Sequence, residues 1–77
     1  MMPPLPIISG IEACRVFEFC GWRLVRQRGS HMILTREGSS ANLSIPDHRE
    51  LDRGTLRSLI RKSGMTVDGF LAALEHI

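Results

Sequence analysis

The first periodic segment of the chain places apolar side chains at helical spacing between residues 10 and 20. Ser9 followed by Glu12 forms a capping box, which predicts a helix that begins near Gly10 and ends at Cys20-Gly21. Its apolar face consists of Ala13, Cys14, Val16, Phe17 and Cys20. We expect this face to cover a sheet. Phe19 falls toward the polar side, where we expect it to meet the end of the chain.

After this helix the pattern changes to alternation, which is the period of β-strands. The three predicted strands span residues 22–28, 31–36 and 41–45. In the first strand, one face carries Trp22, Leu24 and Arg26. Gly29-Ser30 separates the first two strands, and glycine adopts positive φ without steric cost, so we predict a hairpin. A polar turn leads to the third strand, and Pro46 ends its hydrogen-bond ladder.

The remaining pattern predicts two more helices. Gly54-Thr55 opens the first of them, and Gly64 closes it because glycine accepts the left-handed cap conformation. Thr66 caps a short last helix that runs to about Glu75. Their apolar positions are Leu56, Leu59 and Ile60, then Phe70, Leu71 and Leu74. The order predicts an α+β fold, with an antiparallel three-stranded sheet covered on one face by helices.

Length and composition limit the organisation to one small folded domain. The chain has 77 residues, of which 43% are hydrophobic and 23% are charged, as in ordinary globular proteins. Residues 1–8 include Pro3, Pro4 and Pro6, so we predict an extended leader followed by a single domain over residues 9–77. His76 is expected to be a frayed terminal residue.

The net charge of +2 hides a strong segregation of charge. All ten basic residues except Lys62 are arginine, the residue that binds phosphate with two parallel hydrogen bonds. Basic residues accumulate in the first strand, whereas acidic residues cluster at 47–52, before the second helix. This distribution favours a polyanionic partner.

Two cysteines, Cys14 and Cys20, lie almost two helical turns apart, too far for an unstrained disulfide. We interpret them as buried thiols of a reducing compartment, and the chain carries no long apolar segment or signal sequence. The expected location is therefore the cytoplasm, without membrane attachment. Metal binding is not expected, because the histidines and cysteines lack the spacing of metal ligands. No cofactor is expected either.

His31 is the main candidate for chemistry, since it emerges at the mouth of the predicted hairpin directly after a basic segment. Histidine side chains exchange protons near neutral pH and serve as general acids and bases. The backbone amides around Gly54 and Thr55, at the start of the second helix, are candidates for binding phosphate. His48 is a further histidine in a loop, where solvation alone is the common explanation.

Four motifs stand in a characteristic order along the chain. They are Gly21-Trp22, the segment RQRGSH at 26–31, the segment IPDH at 45–48 and the segment GTLRSLIRKSG at 54–64. Together they resemble the HicA toxin family, small mRNA interferases of bacterial toxin–antitoxin pairs. The resemblance covers residues 9–70 approximately, and it implies a fold similar to double-stranded RNA-binding domains. The proline-rich leader departs from the short start that is typical of the family.

The resemblance implies that His31 is the catalytic residue of an endoribonuclease that cleaves mRNA without a metal ion. The residues that it implies for RNA binding are Arg26, Arg28, Gly29, Ser30, Arg53, Thr55, Arg57 and Arg61. His48 is a possible accessory residue. The implied protein partner is a HicB-type antitoxin, and DNA binding is not expected.

Two other functions remain open from the residues alone. A non-catalytic module with the same fold would hold double-stranded RNA through its shape and its phosphates. An interaction protein would pair the exposed edge of its sheet with another chain. The arginines at 53, 57 and 61 also fit a solvated helix flank with no ligand.

Overall fold

The computed structural model describes residues 4–77 and has the predicted order of helix, three strands, helix and short helix. The elements are α1 (Gly10–Phe19), β1 (Arg23–Arg28), β2 (His31–Thr35), β3 (Leu43–Pro46), α2 (Arg53–Lys62) and α3 (Val67–Leu74). The sheet is antiparallel in the order β1-β2-β3. The predicted α+β class is confirmed, including the α-β-β-β-α order of double-stranded RNA-binding domains.

The two hydrophobic strands, β2 and β3, place one set of side chains against the helices. Met32 pairs with Ile45, and Leu34 pairs with Leu43, so all four side chains lie on the same face of the sheet. Each of them is at most 5% exposed. We call this side the covered face. The opposite side carries the exposed or half-buried residues of the same strands, and we call it the open face.

The helices form one layer over the covered face. α1 packs against β1 and β3, α2 packs against β3, and α3 lies against both α1 and α2. Phe17 of α1 and Phe70 of α3 meet with ring centroids 5.3 Å apart. Such a tilted aromatic pair adds about 1 kcal/mol to the stabilisation from burial alone.

Both ends of α1 have the predicted structure. Ser9 Oγ accepts the N–H of Glu12, and the Glu12 carboxylate accepts the N–H of Ser9, so the capping box is confirmed. The helix ends one residue before the predicted cysteine, and Gly21 follows with φ of 102°.

The second helix begins differently from the prediction. Its N-cap is Asp52, and Arg53 is its first residue, so the predicted opening at Gly54-Thr55 is wrong. A carboxylate is a strong N-cap because it accepts free backbone N–H groups of the first turn. Gly64 follows the helix with φ of 82°, which confirms its predicted left-handed conformation.

The proline-rich leader contributes to the core. Its first three residues, Met1 to Pro3, lie outside the described part of the chain, whereas Leu5 and Ile8 are 1% and 6% exposed. Ile8 O accepts the N–H of Leu51 at 2.8 Å, which ties the leader to the loop before α2. The apolar side chains of Leu5 and Ile8 therefore belong to the same core as the sheet, and the extended conformation of the leader stays a prediction.

Gly10 marks the closest approach between α1 and the sheet. Its N–H donates to the backbone oxygen of His48 at 2.9 Å. A Cβ atom at this position would lie 2.0 Å from the carbonyl oxygen of Pro46, a distance that no side chain tolerates. Glycine is required here by space.

The aromatic residue on the polar side of α1 meets the chain end, as predicted. The ring of Phe19 stacks on the ring of His76, with centroids 5.7 Å apart. The His76 N–H also donates to the oxygen of Ala73 at 2.9 Å, so the prediction of a frayed His76 is wrong. The stacking holds the residues after α3 against α1.

The cysteines are both free, as expected from their spacing. Cys14 is buried and Cys20 is half-buried. Burial, reinforced by the negative charge of the nearby Glu18 carboxylate, raises the pKa of the Cys14 thiol to about 11.

Within residues 4–77, no helix combines the length and the apolar character that crossing a membrane requires.

Candidate nucleic-acid interface

The hairpin between β1 and β2 presents His31 at its mouth. Gly29 has φ of 59°, and Ser30 has negative φ, which is the pattern of a two-residue type II′ turn. His31 is the first residue of β2 and is exposed. It pairs with Arg28 on β1 and with Pro46 on β3. The turn therefore sets an exposed imidazole beside a guanidinium, as the sequence predicts.

The hairpin tip is tied to the loop that follows β3. The N–H of Asp47 donates to Ser30 O at 2.7 Å, which extends the β2-β3 pairing by one bond beyond Pro46. On the other side of the turn, Gln27 Nε2 lies 3.4 Å from both Gly29 O and Asp47 Oδ2. These bonds fix the turn that precedes His31, so its backbone is positioned from both neighbouring segments.

A β-bulge in β1 determines which arginines share a face with His31. Leu24 pairs with Leu34, but the next paired residue on β1 is Arg26, so Val25 is the extra residue. The alternation predicted for this strand is therefore wrong beyond Leu24. Leu24 lies on the covered side of the sheet, whereas Arg26 and Arg28 lie on the open face.

The strand itself is exposed along its whole length, including Leu24 and Val25 at 41% and 45%. It forms an edge of the sheet, so its outer backbone groups have no strand partner among residues 4–77. An edge of this kind is available to solvent or to another molecule.

A shallow concavity of about 480 Å³ lies beside His31, and most of its lining residues belong to the open face. Its lining consists of Arg26, Arg28, His31, Ile33, Asn42, Leu43, Ser44 and Lys62. This set holds three side chains that are cationic at neutral pH and no acidic side chain. The cations come from β1 and from the end of α2, with the uncharged strand residues between them. The concavity is therefore built to attract a negatively charged group.

The predicted residues of α2 lie elsewhere. Arg53 donates from Nε to Leu5 O at 2.8 Å, so this guanidinium fastens the leader. The N–H of Thr55 donates to the Asp52 carboxylate at 3.2 Å, so that amide and its positive potential are already used by an acidic cap. Neither residue lines the concavity described above, and neither do Arg57 and Arg61 on the same helix. The structure does not bring these four residues to His31.

His48 lies in the loop between β3 and α2 and is exposed. Its backbone oxygen receives the N–H of Gly10, so the loop is anchored to α1 at this residue. It follows Asp47, which bonds the hairpin tip, but it does not line the concavity. An accessory role for His48 stays a prediction.

Five of the eight residues that line the concavity were not predicted as site residues, namely Ile33, Asn42, Leu43, Ser44 and Lys62. Lys62 ends α2, Asn42 precedes β3, and Ser44 pairs with Ile33 across the sheet. Only the alternation of β3 carried a signal, because it placed Asn42 and Ser44 opposite the buried side chains. The approach of Lys62 depends on how α2 packs on β3, which no local pattern reports.

The part of the chain that the structure describes contains no group of three or more His, Cys, Asp or Glu side chains placed to hold a metal ion.

Arg36 makes two contacts that tie neighbouring elements together. Its guanidinium lies 4.7 Å above the centre of the Trp22 ring and donates to Ser63 O at 3.1 Å. Arg36 therefore links the end of β2 to the end of α2, and its role is structural.

Comparison with known proteins agrees with these features. No curated protein matches the chain. A family described as the HicA toxin of bacterial toxin–antitoxin systems matches residues 10–65, which include α1, the whole sheet and α2. This match covers more than half of the 77 residues. The chain belongs to the HicA toxin family of bacterial toxin–antitoxin systems.

Proposed function

We propose that this toxin is an endoribonuclease, an mRNA interferase, with His31 as its catalytic residue. The observation that carries the proposal is the position of His31, exposed at the end of a concavity lined by Arg26, Arg28 and Lys62. A basic surface with a general acid or base at its edge suits a substrate that is itself a polyanion.

RNA supplies its own nucleophile, so the protein needs few groups for the reaction. His31 takes the proton of the 2′-hydroxyl, and the 2′-oxygen then attacks the adjacent phosphorus. The bond from phosphorus to the 5′-oxygen breaks, and protonated His31 returns its proton to the leaving 5′-oxygen, which restores the neutral imidazole. The products are a 2′,3′-cyclic phosphate and a 5′-hydroxyl. No metal ion takes part in this proposal.

Arg28 stabilises the charge that grows on the phosphate during this attack, and Arg26 holds the RNA strand beside it. Arg28 pairs with His31 across the hairpin, and Arg26 lies two positions further along the same face. Guanidinium groups bind phosphate oxygens in a bidentate manner and strengthen such contacts as charge develops. Gly29 and Ser30 act through the turn that they form.

The partner of the toxin is proposed to be a HicB-type antitoxin that covers this surface, and the site of action is mRNA in the cytoplasm. The exposed edge strand β1 supports a protein partner, because strand edges pair readily with extended segments of other chains. An antitoxin bound at β1 would block Arg26 and Arg28.

A second candidate function is a non-catalytic module that holds double-stranded RNA. The α-β-β-β-α order, which is that of double-stranded RNA-binding domains, favours this alternative. The two candidates differ in one measurable respect, because only the first predicts new RNA ends.

The test is cleavage of a mixed-sequence single-stranded RNA by the purified protein in excess chelator. Wild-type protein is compared with His31→Ala, and with His76→Ala as a matched loss of an exposed histidine that does not line the concavity. Product ends are mapped chemically, and circular dichroism confirms that each variant is folded. We expect cyclic phosphate ends from wild type and a loss of about 100-fold or more in rate for His31→Ala.

Retention of cleavage by a folded His31→Ala protein contradicts the assignment of the catalytic residue. Absence of cleavage in all three proteins, together with tight binding to duplex RNA, favours the non-catalytic module. The assay is then repeated during translation in a cell-free system, because ribosome-dependent nucleases cut only there.

A further inference from the structure

We propose that the open face binds RNA as an extended single strand, with Arg23, Arg26 and Arg28 each holding one of three consecutive phosphates on one side of the bond that is cleaved. The proposal rests on the proposed function for the position of the cleaved bond at His31. It adds Arg23 to the site and fixes the form of the substrate.

The pairing of β1 with β2 places the three arginines in one row. Each arginine pairs with a residue of β2 from the set His31, Ile33 and Thr35, in the order Arg28, Arg26 and Arg23. Alternate residues of a strand share a face, so these three β2 residues all lie on the open face. Directly paired residues also share a face, which puts the arginines there as well.

The spacing of the row matches a nucleic-acid backbone. Each step along β2 from His31 to Ile33 to Thr35 spans two residues, or roughly 7 Å at the rise of an antiparallel strand. Successive phosphates of an extended single strand are separated by a similar distance. All three arginines are exposed, so each guanidinium is free to turn toward the open face.

The bulge at Val25 is the feature that makes the row. In a regular strand, Arg23 would share a face with Val25 and Gln27, and it would lie opposite to Arg26 and Arg28. The extra residue shifts the alternation by one position, and all three arginines then face the same side. Three cations on one side of one strand leave their charge unbalanced unless an anion covers them.

A row along one edge strand favours a single nucleic-acid strand over a duplex. Phosphates of an A-form duplex follow a helical path that leaves the line of one β-strand, whereas an extended chain can follow it. Between the row and β3, Ile33 offers a half-buried apolar side chain for contact with a base. Beyond Arg23, the surface contains Arg36, whose guanidinium is held over the Trp22 ring, and Glu37, whose carboxylate repels a further phosphate.

The first measurement is binding, which does not depend on cleavage. His31→Ala protein is titrated with a fluorescent mixed-sequence single-stranded RNA at several salt concentrations, and with a hairpin duplex RNA of equal length. The variant His31→Ala/Arg23→Gln is compared with His31→Ala/Arg15→Gln, which removes an exposed arginine from α1. We expect preference for the single strand, and a roughly tenfold loss of affinity for the Arg23 variant only.

The salt dependence gives an independent readout. Loss of one phosphate contact to a single strand lowers the slope of log K against log salt by about 0.7. The Arg15 variant is expected to keep the slope of its parent. An equal affinity and slope for the two variants overturns the row, as does preference for the duplex.

The second measurement uses cleavage and the otherwise wild-type protein. The RNA whose cleavage site has been mapped is shortened one nucleotide at a time from each end. For the wild-type protein, we expect kcat/KM to fall when fewer than three phosphates remain on one side of the cleavage site. For Arg23→Gln, we expect removal of the third phosphate to leave kcat/KM unchanged. If removal of the third phosphate lowers kcat/KM equally in the wild-type and Arg23→Gln proteins, the role of Arg23 is contradicted.

The two measurements separate the possible failures. Single-strand binding that depends on Arg23, without cleavage, supports the row and contradicts the proposed nuclease. Cleavage that depends on His31 but not on Arg23 or substrate length supports the nuclease and contradicts the row. Thermal unfolding of each variant confirms that an exposed arginine has been removed without loss of the fold.

Discussion

The two faces of the same sheet differ completely in chemistry. On the covered face, β2 and β3 contribute Met32, Leu34, Leu43 and Ile45, none more than 5% exposed. On the open face, the same strands contribute His31, Ile33 and Ser44, and β1 adds its arginines. Neighbouring residues of one strand therefore lie alternately against the core and toward solvent, because alternation places them on opposite sides of the sheet.

This separation places the residues of the core and the residues of the proposed RNA site only one position apart. A small domain of 77 residues has a limited core, so each buried side chain carries a large share of its stability. The open face can therefore hold uncompensated positive charge without any buried charge. Three measurements test how complete the separation is.

The largest expected effect is on the covered face. Leu34→Ala removes a side chain that is fully buried, and we expect a loss of about 3 kcal/mol in the free energy of unfolding. Its neighbour Ile33 is half-buried on the open face, so Ile33→Ala is expected to cost about 1 kcal/mol. Urea unfolding followed by circular dichroism measures both. Equal losses for the two variants would show that the open face is not solvated.

An intermediate effect is expected at the start of α2. Asp52→Ala removes the cap that accepts the Thr55 N–H, and we expect a loss of about 1 kcal/mol in unfolding free energy. Asp52→Asn, which keeps an N-cap acceptor but removes the charge, is the control and is expected to retain most of the stability. RNA affinity is measured in the same proteins. A loss of RNA binding in the folded Asp52→Asn protein would contradict the structural role given to this helix end.

The smallest effect at neutral pH concerns Cys14, below the covered face. Burial beside Glu18 raises the pKa of the Cys14 thiol from 9.0 to about 11. Between these values the unfolded chain loses a proton that the folded chain keeps, so folding stability falls as pH rises from about 9 to about 11. Below this window the contribution is constant.

Unfolding by urea at a series of pH values measures this dependence. Cys14→Ala is expected to show a shallower decline of stability across the same window, whatever its loss at neutral pH. Cys20→Ala is the comparison: burial raises the pKa of this half-buried thiol as well, but the positive charge of Arg36 opposes the effect, so we expect a smaller change in the decline. An unchanged decline in the Cys14 variant would assign the pH dependence to other groups.

Much of the fold could be predicted because its signals are local. The capping box at Ser9 and Glu12, the turn at Gly29-Ser30 and the cap at Gly64 each depend on a few neighbouring residues. The buried positions of β2 and β3 followed from simple alternation. His31 could be selected in the same way, since its turn is set by adjacent residues.

The rest of the site depends on pairing between distant segments. The sequence of β1 mixes apolar and basic residues without a fixed face, so nothing in it marks Val25 as the extra residue. Lys62 reaches the concavity only through the packing of α2 on β3. The arginine at position 53 had the right charge for a ligand, but Leu5 supplies its partner from the other end of the chain. The charge pattern alone could not show that Lys62 lines the concavity whereas Arg53 binds the leader.

The contacts of the leader also order events in time. Leu5 O accepts a hydrogen bond from the Arg53 side chain, 48 residues later in the sequence. The N–H of Gly10 donates to the backbone oxygen of His48, which is also far along the chain. During synthesis the N-terminal segment therefore emerges from the ribosome long before its partners exist. The contacts of Leu5 and Gly10 therefore form only after the loop before α2 and the start of α2 have been synthesised. A toxin built in this way cannot complete its core while the ribosome is still translating the three strands.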